Sequence, residues 1–278
     1  VHIDIDPSAI SKSVRVDIPV VGDLKGVLAE LNKIVKKADT DAWLAQIAEW
    51  KQKFPLSYKD DDTLRPQYVI EQIWDITKGD AVITTEVGQH QMWACQFFKY
   101  VYPRTFISSG GLGTMGFGFP AAIGAQLGRP DKLVIDIAGD GSIQMNIQEL
   151  TTAVINGLPV KVVILNNQYL GMVRQWQELF YNKNYSNTCL ARGPKCPKVC
   201  NERKDGCPVY IPDFVKVAEA FGAVGMRVEK KKDVRPTLEK AFAIKRPVFI
   251  DCRIENEENV FPMVPAGASL TEMMGGLA

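Results

Sequence analysis

The sequence predicts an α/β protein built on a doubly wound parallel sheet with helices on both faces. Between residues 63 and 255, six short β-rich runs alternate with helical patterns, as strand and helix do in such folds. The runs are apolar without the polar alternation of a half-exposed strand, so both faces of the sheet should be covered. A chain of 278 residues, 46% of them hydrophobic, can bury one large core and has room for one or two domains.

Taken in order, residues 1–6 alternate as Val1-His2-Ile3-Asp4-Ile5-Asp6, a strand with no cap or turn before it, as expected of a cut inside a larger polypeptide. Residues 23–37 and 39–53 follow with apolar positions at helical spacing, among them Leu24, Val27, Leu28, Leu31, Ile34 and Val35. Residues 1–53 are thus expected to end a preceding α/β domain. Pro55 and the run Asp60-Asp61-Asp62 give residues 54–62 the character of a linker, and Thr63 is expected to cap a helix reaching residue 78. The strands are expected at 81–87, 105–108, 133–138, 160–165, 224–228 and 248–253, within a main domain of residues 63–278. Residues 189–212 are a cysteine-rich insert, and residues 256–278, rich in Met, Gly and Pro, are expected to form an arm folding over the site.

Charge and composition exclude several functions. A net charge of +1 gives no field for polyanions, and Lys36-Lys37 and Lys230-Lys231-Lys232 are too short for nucleic-acid arms. No apolar run approaches the roughly 20 residues of a membrane span, and no basic-then-apolar leader is present, so a cytoplasmic setting is expected. With only His2 and His90, a histidine metal cluster or a Ser-His-Asp triad lacks raw material.

The most informative motif is Gly139-Asp140-Gly141-Ser142 at the end of one apolar run, with Asn166-Asn167 ending the next. Asp140 and Asn167 lie 27 positions apart, one βαβ unit, so a right-handed crossover opens both strand ends on one crevice. A carboxylate and an amide carbonyl there suit Mg²⁺, which takes oxygen ligands and shares its shell with phosphates. Gly141 lets backbone approach a phosphate, and Ser142 is expected to open a helix whose amides favour an anion. The plainer reading is a tight turn followed by an unrelated strand end. A second glycine pattern, Gly111-Leu112-Gly113-Thr114-Met115-Gly116, formally fits a dinucleotide fingerprint, but Asp131 lies in a loop and Asp136 inside a strand, so the expected acidic partner is misplaced.

The spacing GDG-x24-NN resembles the fingerprint of the thiamine-diphosphate enzymes. The runs Val87-Gly88-Gln89-His90-Gln91-Met92-Trp93, Ser109 through Gly116, and Tyr169-Leu170-Gly171-Met172-Val173-Arg174-Gln175-Trp176 resemble the large catalytic subunits of acetolactate synthases, C-terminal portion, and the similarity extends over nearly the whole chain. The resemblance implies a thiamine-diphosphate-binding fold with Mg²⁺ held by Asp140, Asn167 and the Tyr169 carbonyl. It further implies that Val87, Gly88, Gln89, His90, Gly141 and Ser142 serve the diphosphate, that Gly113 lies against the aminopyrimidine, and that Gly171, Met172 and Val173 line the cofactor. Met115 would bend the cofactor and Trp176 would wall the pocket of the second keto acid; without the resemblance both would pass as core residues. Asp4, Ile5 and Asp23 would be edge contacts to FAD, or else simply a strand and a helix cap.

The implied activity decarboxylates pyruvate and ligates the two-carbon unit to pyruvate or 2-oxobutanoate, in branched-chain amino-acid biosynthesis. It implies a homodimer or homotetramer, a regulatory small subunit, and a glutamate from a neighbouring subunit's N-terminal domain, without which this chain would turn over little. Other thiamine-diphosphate enzymes of the pyruvate oxidase or glyoxylate carboligase type, and a non-catalytic fragment, are the competing readings. The pattern departs from the family at Cys189-x6-Cys196-x3-Cys200-x6-Cys207, which leaves zinc, an iron-sulfur cluster, two disulfides and unpaired thiols all open. Cys95 and Cys252 are expected to be core thiols.

Overall fold

The computed structural model describes residues 1–197, 199, 200, 207 and 211–275. They divide into two compact units, Val1–Pro55 and Leu56–Ala278. In the first, β1 (His2–Asp4) and β2 (Pro19–Val21) pair in parallel. The initial strand is shorter than its alternation suggests, because Asp6 accepts a hydrogen bond from Ser8 N and turns the chain into a 3-10 turn at Pro7–Ala9. Helix α1 (Leu24–Ile34) starts where the Asp23 carboxylate accepts from Gly26 N, an N-cap that satisfies one of its orphan amides, and α2 (Asp41–Lys53) follows. No residue of this unit is fully buried within the chain.

The second unit opens with α3 (Pro66–Thr77), whose Pro66 occupies the first turn, where its missing N–H costs nothing. Thr63 is therefore not the cap: Arg65 holds that position without a side-chain bond, and Thr63 N instead donates to Asp61. Residues 56–62 are packed on this unit, with the Tyr58 hydroxyl on Glu71 and its ring edge-on to Phe97. The chain continues through β3 (Ala81–Thr85), α4 (Gln89–Phe97), β4 (Phe106–Ser108), α5 (Gly118–Gly128), β5 (Leu133–Gly139), α6 (Leu150–Ile155), β6 (Lys161–Asn166) and α7 (Gly171–Phe180). A short antiparallel pair, β7 (Tyr185–Ser186) with β8 (Val199–Cys200), precedes α8 (Phe214–Ala220), β9 (Val224–Val228), α9 (Val234–Ala243) and β10 (Val248–Arg253).

The six longer-range strands form one parallel sheet in the order β4-β3-β5-β6-β10-β9. Its two faces bury two apolar cores, as the absence of polar alternation requires. Ile83, Ile135, Ile137, Val163, Leu165 and Ile250 pack under α3, α4 and α9, while Val82, Val134, Ala138, Val162, Ile164 and Phe249 pack under α5, α6 and α8. Each of these Val, Leu, Ile and Phe side chains contributes about 1.5–3 kcal/mol relative to exposure, before conformational entropy is subtracted. Contrary to expectation, Ser142 opens no α-helix: a 3-10 turn, Ile143–Met145, follows it, and α6 begins only at Leu150. Cys252 is a core thiol, but Cys95 is exposed on α4. No helix of the described residues is long and apolar enough to cross a membrane.

Candidate active site

Because β5 and β6 are parallel neighbours with Gly139 in register with Leu165, the turns that leave them stand side by side. Those turns carry Asp140 and Asn167. Together with the loop after β3 they line a cleft at the carboxyl ends of the strands, where open α/β sheets bind ligands.

Asp140 is 1% exposed and its Oδ2 has no hydrogen-bond partner among the described residues. Burial raises its pKa to about 8, against the lowering effect of bonds from the backbone N–H groups of Gln168, Asp140 and Gly141. A carboxyl desolvated this strongly and left with an open oxygen suits a cation. Asn167, also buried, donates from Nδ2 to Gln89 Oε1 (3.3 Å) and accepts at Oδ1 from Tyr169 N (3.1 Å). The Asn167 carbonyl accepts from Asn256 Nδ2 at 2.7 Å.

Two more buried polar atoms of lining residues, His90 Nε2 and Trp93 Nε1, lack partners among the described residues. Desolvation holds the His90 pKa down at about 3, so the ring is neutral. Three orphaned polar atoms in one cleft are exceptional against the near-complete satisfaction of buried groups, and each offers itself to a ligand. Ser142 is spent differently: its hydroxyl donates to Glu86 Oε2 (2.7 Å) and accepts from Val87 N (3.3 Å). Glu86, pushed above the usual carboxylate range by burial, also accepts from Gly116 N and Phe119 N. It ties the turn bearing Met115 to the turn bearing Asp140.

The cleft gathers Val87, Gly88, Gln89, His90, Met115, Asp140, Gly141, Ser142, Asn167, Tyr169, Gly171, Met172 and Val173 from the sequence-derived set. Gly113 is not on the lining and is exposed, and Trp176, on α7, is 46% exposed and also off the lining. Asp4, Ile5 and Asp23 belong to the first unit, where Asp4 pairs with Val21 and so shares one end of the β1–β2 ribbon with Ile5 and Asp23. Leu165 lines the cleft as well, as do Trp93, Gly139 and Leu170, which belong to the quoted motifs but carried no site role there. Trp93 falls one helical turn after Gln89, and that spacing was the available signal.

A second cavity is lined by Cys189, Cys196, Cys200 and Cys207 together with Tyr169 and Tyr185. Cys189 also bridges Tyr169 in antiparallel pairing, so the insert lies against the turn that follows Asn167. Among the described residues no three His, Cys, Asp or Glu side chains are grouped to hold a metal ion. Residues 198, 201–206 and 208–210 of the insert lie outside the described residues.

Comparison with known proteins extends the same pattern. Relatives include an acetolactate synthase of Mycobacterium leprae, 46% identical over 98% of this chain and 43% of its own length. An acetolactate synthase large subunit of Haemophilus influenzae is 43% identical over 99% of this chain and 46% of its own length. Acetolactate synthase 1, chloroplastic, of Nicotiana tabacum is 42% identical over 99% and 40% respectively. The chain thus spans less than half the length of these relatives. The family model for the thiamine pyrophosphate enzyme C-terminal TPP binding domain matches residues 86–252, from the glutamate beneath the first cleft loop to the last core strand. With the parallel sheet, the paired strand ends and this match in agreement, the chain belongs to the thiamine pyrophosphate enzymes as their C-terminal, cofactor-binding domain.

Proposed function

We propose that the chain is the cofactor-holding C-terminal part of an acetolactate synthase, decarboxylating pyruvate and joining the two-carbon unit to pyruvate or 2-oxobutanoate. The observation that carries this reading is the buried, half-satisfied Asp140 carboxylate beside Asn167 on the neighbouring strand, in relatives' company that bears that name. A single carboxylate in the donor set fits Mg²⁺, which completes its shell with phosphate and water, better than a multi-carboxylate or thiolate metal site. Asp140, Asn167 and the Tyr169 carbonyl would hold that ion. Val87, Gly88, His90, Gly141 and the Gly171-Met172-Val173 turn would receive the cofactor, and Ser142 would keep the Asp140 turn fixed through Glu86. Gln89 stands at the same wall.

Thiamine diphosphate, when bound, supplies the nucleophilic carbon that releases CO₂ from a 2-keto acid and transfers the remainder. The residues of the chain anchor and shape: Met115 would press on the cofactor from the Glu86-held turn, and Gly113 and Trp176 would face the space beyond it, Trp176 choosing the acceptor. Val173, on the cleft lining, is 41% exposed, and Leu112 and Trp176, close in sequence to the lining residues Met115 and Val173, are 95% and 46% exposed, so apolar surface stands open on these segments. Such surface supports closure by another domain or subunit in a homodimer or homotetramer, with a regulatory small subunit as a further partner. Asp4, Ile5 and Asp23 would contribute the edge of an FAD site. Residues 1–53 would then close a middle domain, with 54–62 as its link to the cofactor domain of residues 63–278.

The test is calorimetric titration with thiamine diphosphate, with and without Mg²⁺, on the chain and on Asp140→Ala. Binding that needs both the metal and Asp140 is expected. Equal binding by Asp140→Ala, or binding of NAD in its place, overturns the reading. Analysis of the product formed from pyruvate by the enzyme containing this chain then separates acetolactate from oxidase or glyoxylate-type products.

A further inference from the structure

Gln89 lines the cleft, yet both polar atoms of its side chain are hydrogen-bonded within the protein. Its Nε2 donates to Gln175 Oε1 (2.8 Å) and to the Glu258 carbonyl (2.9 Å), and its Oε1 accepts from Asn167 Nδ2. We infer that Gln89 is a positioning residue for Asn167, the last member of a polarity relay that starts at the Val260 backbone and passes through Gln175. This inference rests on the reading of the cleft as a metal-diphosphate site.

The relay follows from which groups can only donate or only accept. Val260 N donates to Gln175 Oε1 (2.8 Å), and the Val260 carbonyl accepts from Gln175 Nε2 (2.9 Å). The N–H and the carbonyl of one residue thus read both ends of the Gln175 amide and admit one orientation. That orientation turns the Gln175 oxygen toward Gln89, which must present Nε2 to it, and the Glu258 carbonyl demands the same. Gln89 Oε1 is then left for Asn167, which must answer with Nδ2. The Asn167 oxygen is turned the other way, where Tyr169 N occupies one lone pair and leaves a second for a hard cation. A flipped Asn167 would offer the metal an N–H group in place of an oxygen.

The anchoring side of the relay is rigid. Arg174, fully buried, donates to the Glu258 carbonyl (3.1 Å) and ion-pairs with Glu178, while the Glu258 carboxylate is held by Arg65 and Gln67. Asn256 fixes the Asn167 carbonyl from the same segment. Neither Gln175 nor Val260 lines the cleft, so Gln175 acts on a ligand only through Gln89.

The experiment is titration of Mg²⁺ at fixed thiamine diphosphate, followed by calorimetry, on the full chain and on Gln89→Met, Gln175→Met and Gln175→Glu, each checked for fold by circular dichroism. Loss of an outer-shell partner typically costs 10–100-fold in metal affinity. Gln89→Met and Gln175→Met are therefore expected to raise the Mg²⁺ requirement by about tenfold or more, while in Gln175→Met, whose position is off the cleft lining, thiamine diphosphate affinity at saturating Mg²⁺ stays near that of the parent. Gln175→Glu keeps acceptors for Val260 N and Gln89 Nε2 and, as the neutral acid that burial favours, a donor for the Val260 carbonyl, so it is expected to recover part of the loss. Weakened cofactor binding at saturating Mg²⁺ in Gln89→Met, with the Mg²⁺ requirement of Gln175→Met like that of the parent, would mean direct contact with the diphosphate and overturn the relay. An unchanged Mg²⁺ requirement in both Met variants overturns it equally; if one fails to fold, the other decides. Failure of the parent chain to bind thiamine diphosphate at any Mg²⁺ concentration refutes the site reading itself.

Discussion

At the scale of single residues, Asp140 sets a pH dependence whose sign is fixed. Its folded pKa of about 8 lies above the ordinary carboxylate value, so the stability it contributes is complete below about pH 4 and is lost as pH rises toward 8. In the presence of a chelator the melting temperature is expected to fall between pH 5 and 8 more steeply for the parent than for Asp140→Asn, with Mg²⁺ and thiamine diphosphate removing the difference. Equal slopes for the two proteins would show that the carboxylate is not desolvated. Gly171 makes a second case, since a Cβ there would stand 2.1 Å from Gln89 Oε1 and 2.7 Å from Asn167 Nδ2. Gly171→Ala should displace both amides, costing about 1–3 kcal/mol of stability and weakening Mg²⁺-dependent cofactor binding about tenfold or more; denaturant unfolding and calorimetry read the two effects separately. Asp140, Gly141, Ser142 and Asn167 could be read from residue chemistry because GDG and NN are local to two strand ends, whereas residues 87–90, Met115 and residues 171–173 came only from the family resemblance. The satisfaction of Gln89 could not, because its partners come from residues 167, 175 and 258, and nothing local marks them.

At the scale of elements, the six sheet strands were legible because parallel strands buried on both faces leave uninterrupted apolar runs. Boundaries were less so. The expected strand at 81–87 ends at Thr85, where Glu86 leaves the ladder to accept N–H groups from the Met115 turn. Likewise Ser142 is drawn to Glu86, a contact 56 positions away, and the helix expected after it begins eight residues later. Helix α5 meets β3 through Gly118, where a Cβ would lie 2.3 Å from Glu86 N and 2.4 Å from Asp136 Oδ1. Backbone cannot yield there, so Gly118→Ala is expected to destabilise by about 3 kcal/mol or more, seen as a lower denaturant midpoint with an unchanged m-value. A midpoint within error of the parent would show that helix and strand can part without cost.

At the scale of the whole molecule, the open apolar surface on the cleft segments predicts a division of labour. Turnover of pyruvate by the chain alone is expected to be negligible, and co-expression with the preceding portion of an acetolactate synthase should restore it, measured as acetolactate formation. Full activity of the isolated chain would contradict that division. The order of the sheet has a consequence for biosynthesis. Among the described residues β10 follows the other five strands of the sheet in the chain, yet it lies between β6 and β9, and β9 has no other neighbour there. As the chain leaves the ribosome, β9 emerges with nothing to join and β6 waits with one edge bare, a surface prone to pairing with other chains. The carbonyls of Glu258 and Val260 that orient Gln89 and Gln175 follow immediately behind β10. The protein therefore closes its sheet and sets the polarity of its cleft in one late event, and a nascent chain stalled before residue 248 has neither.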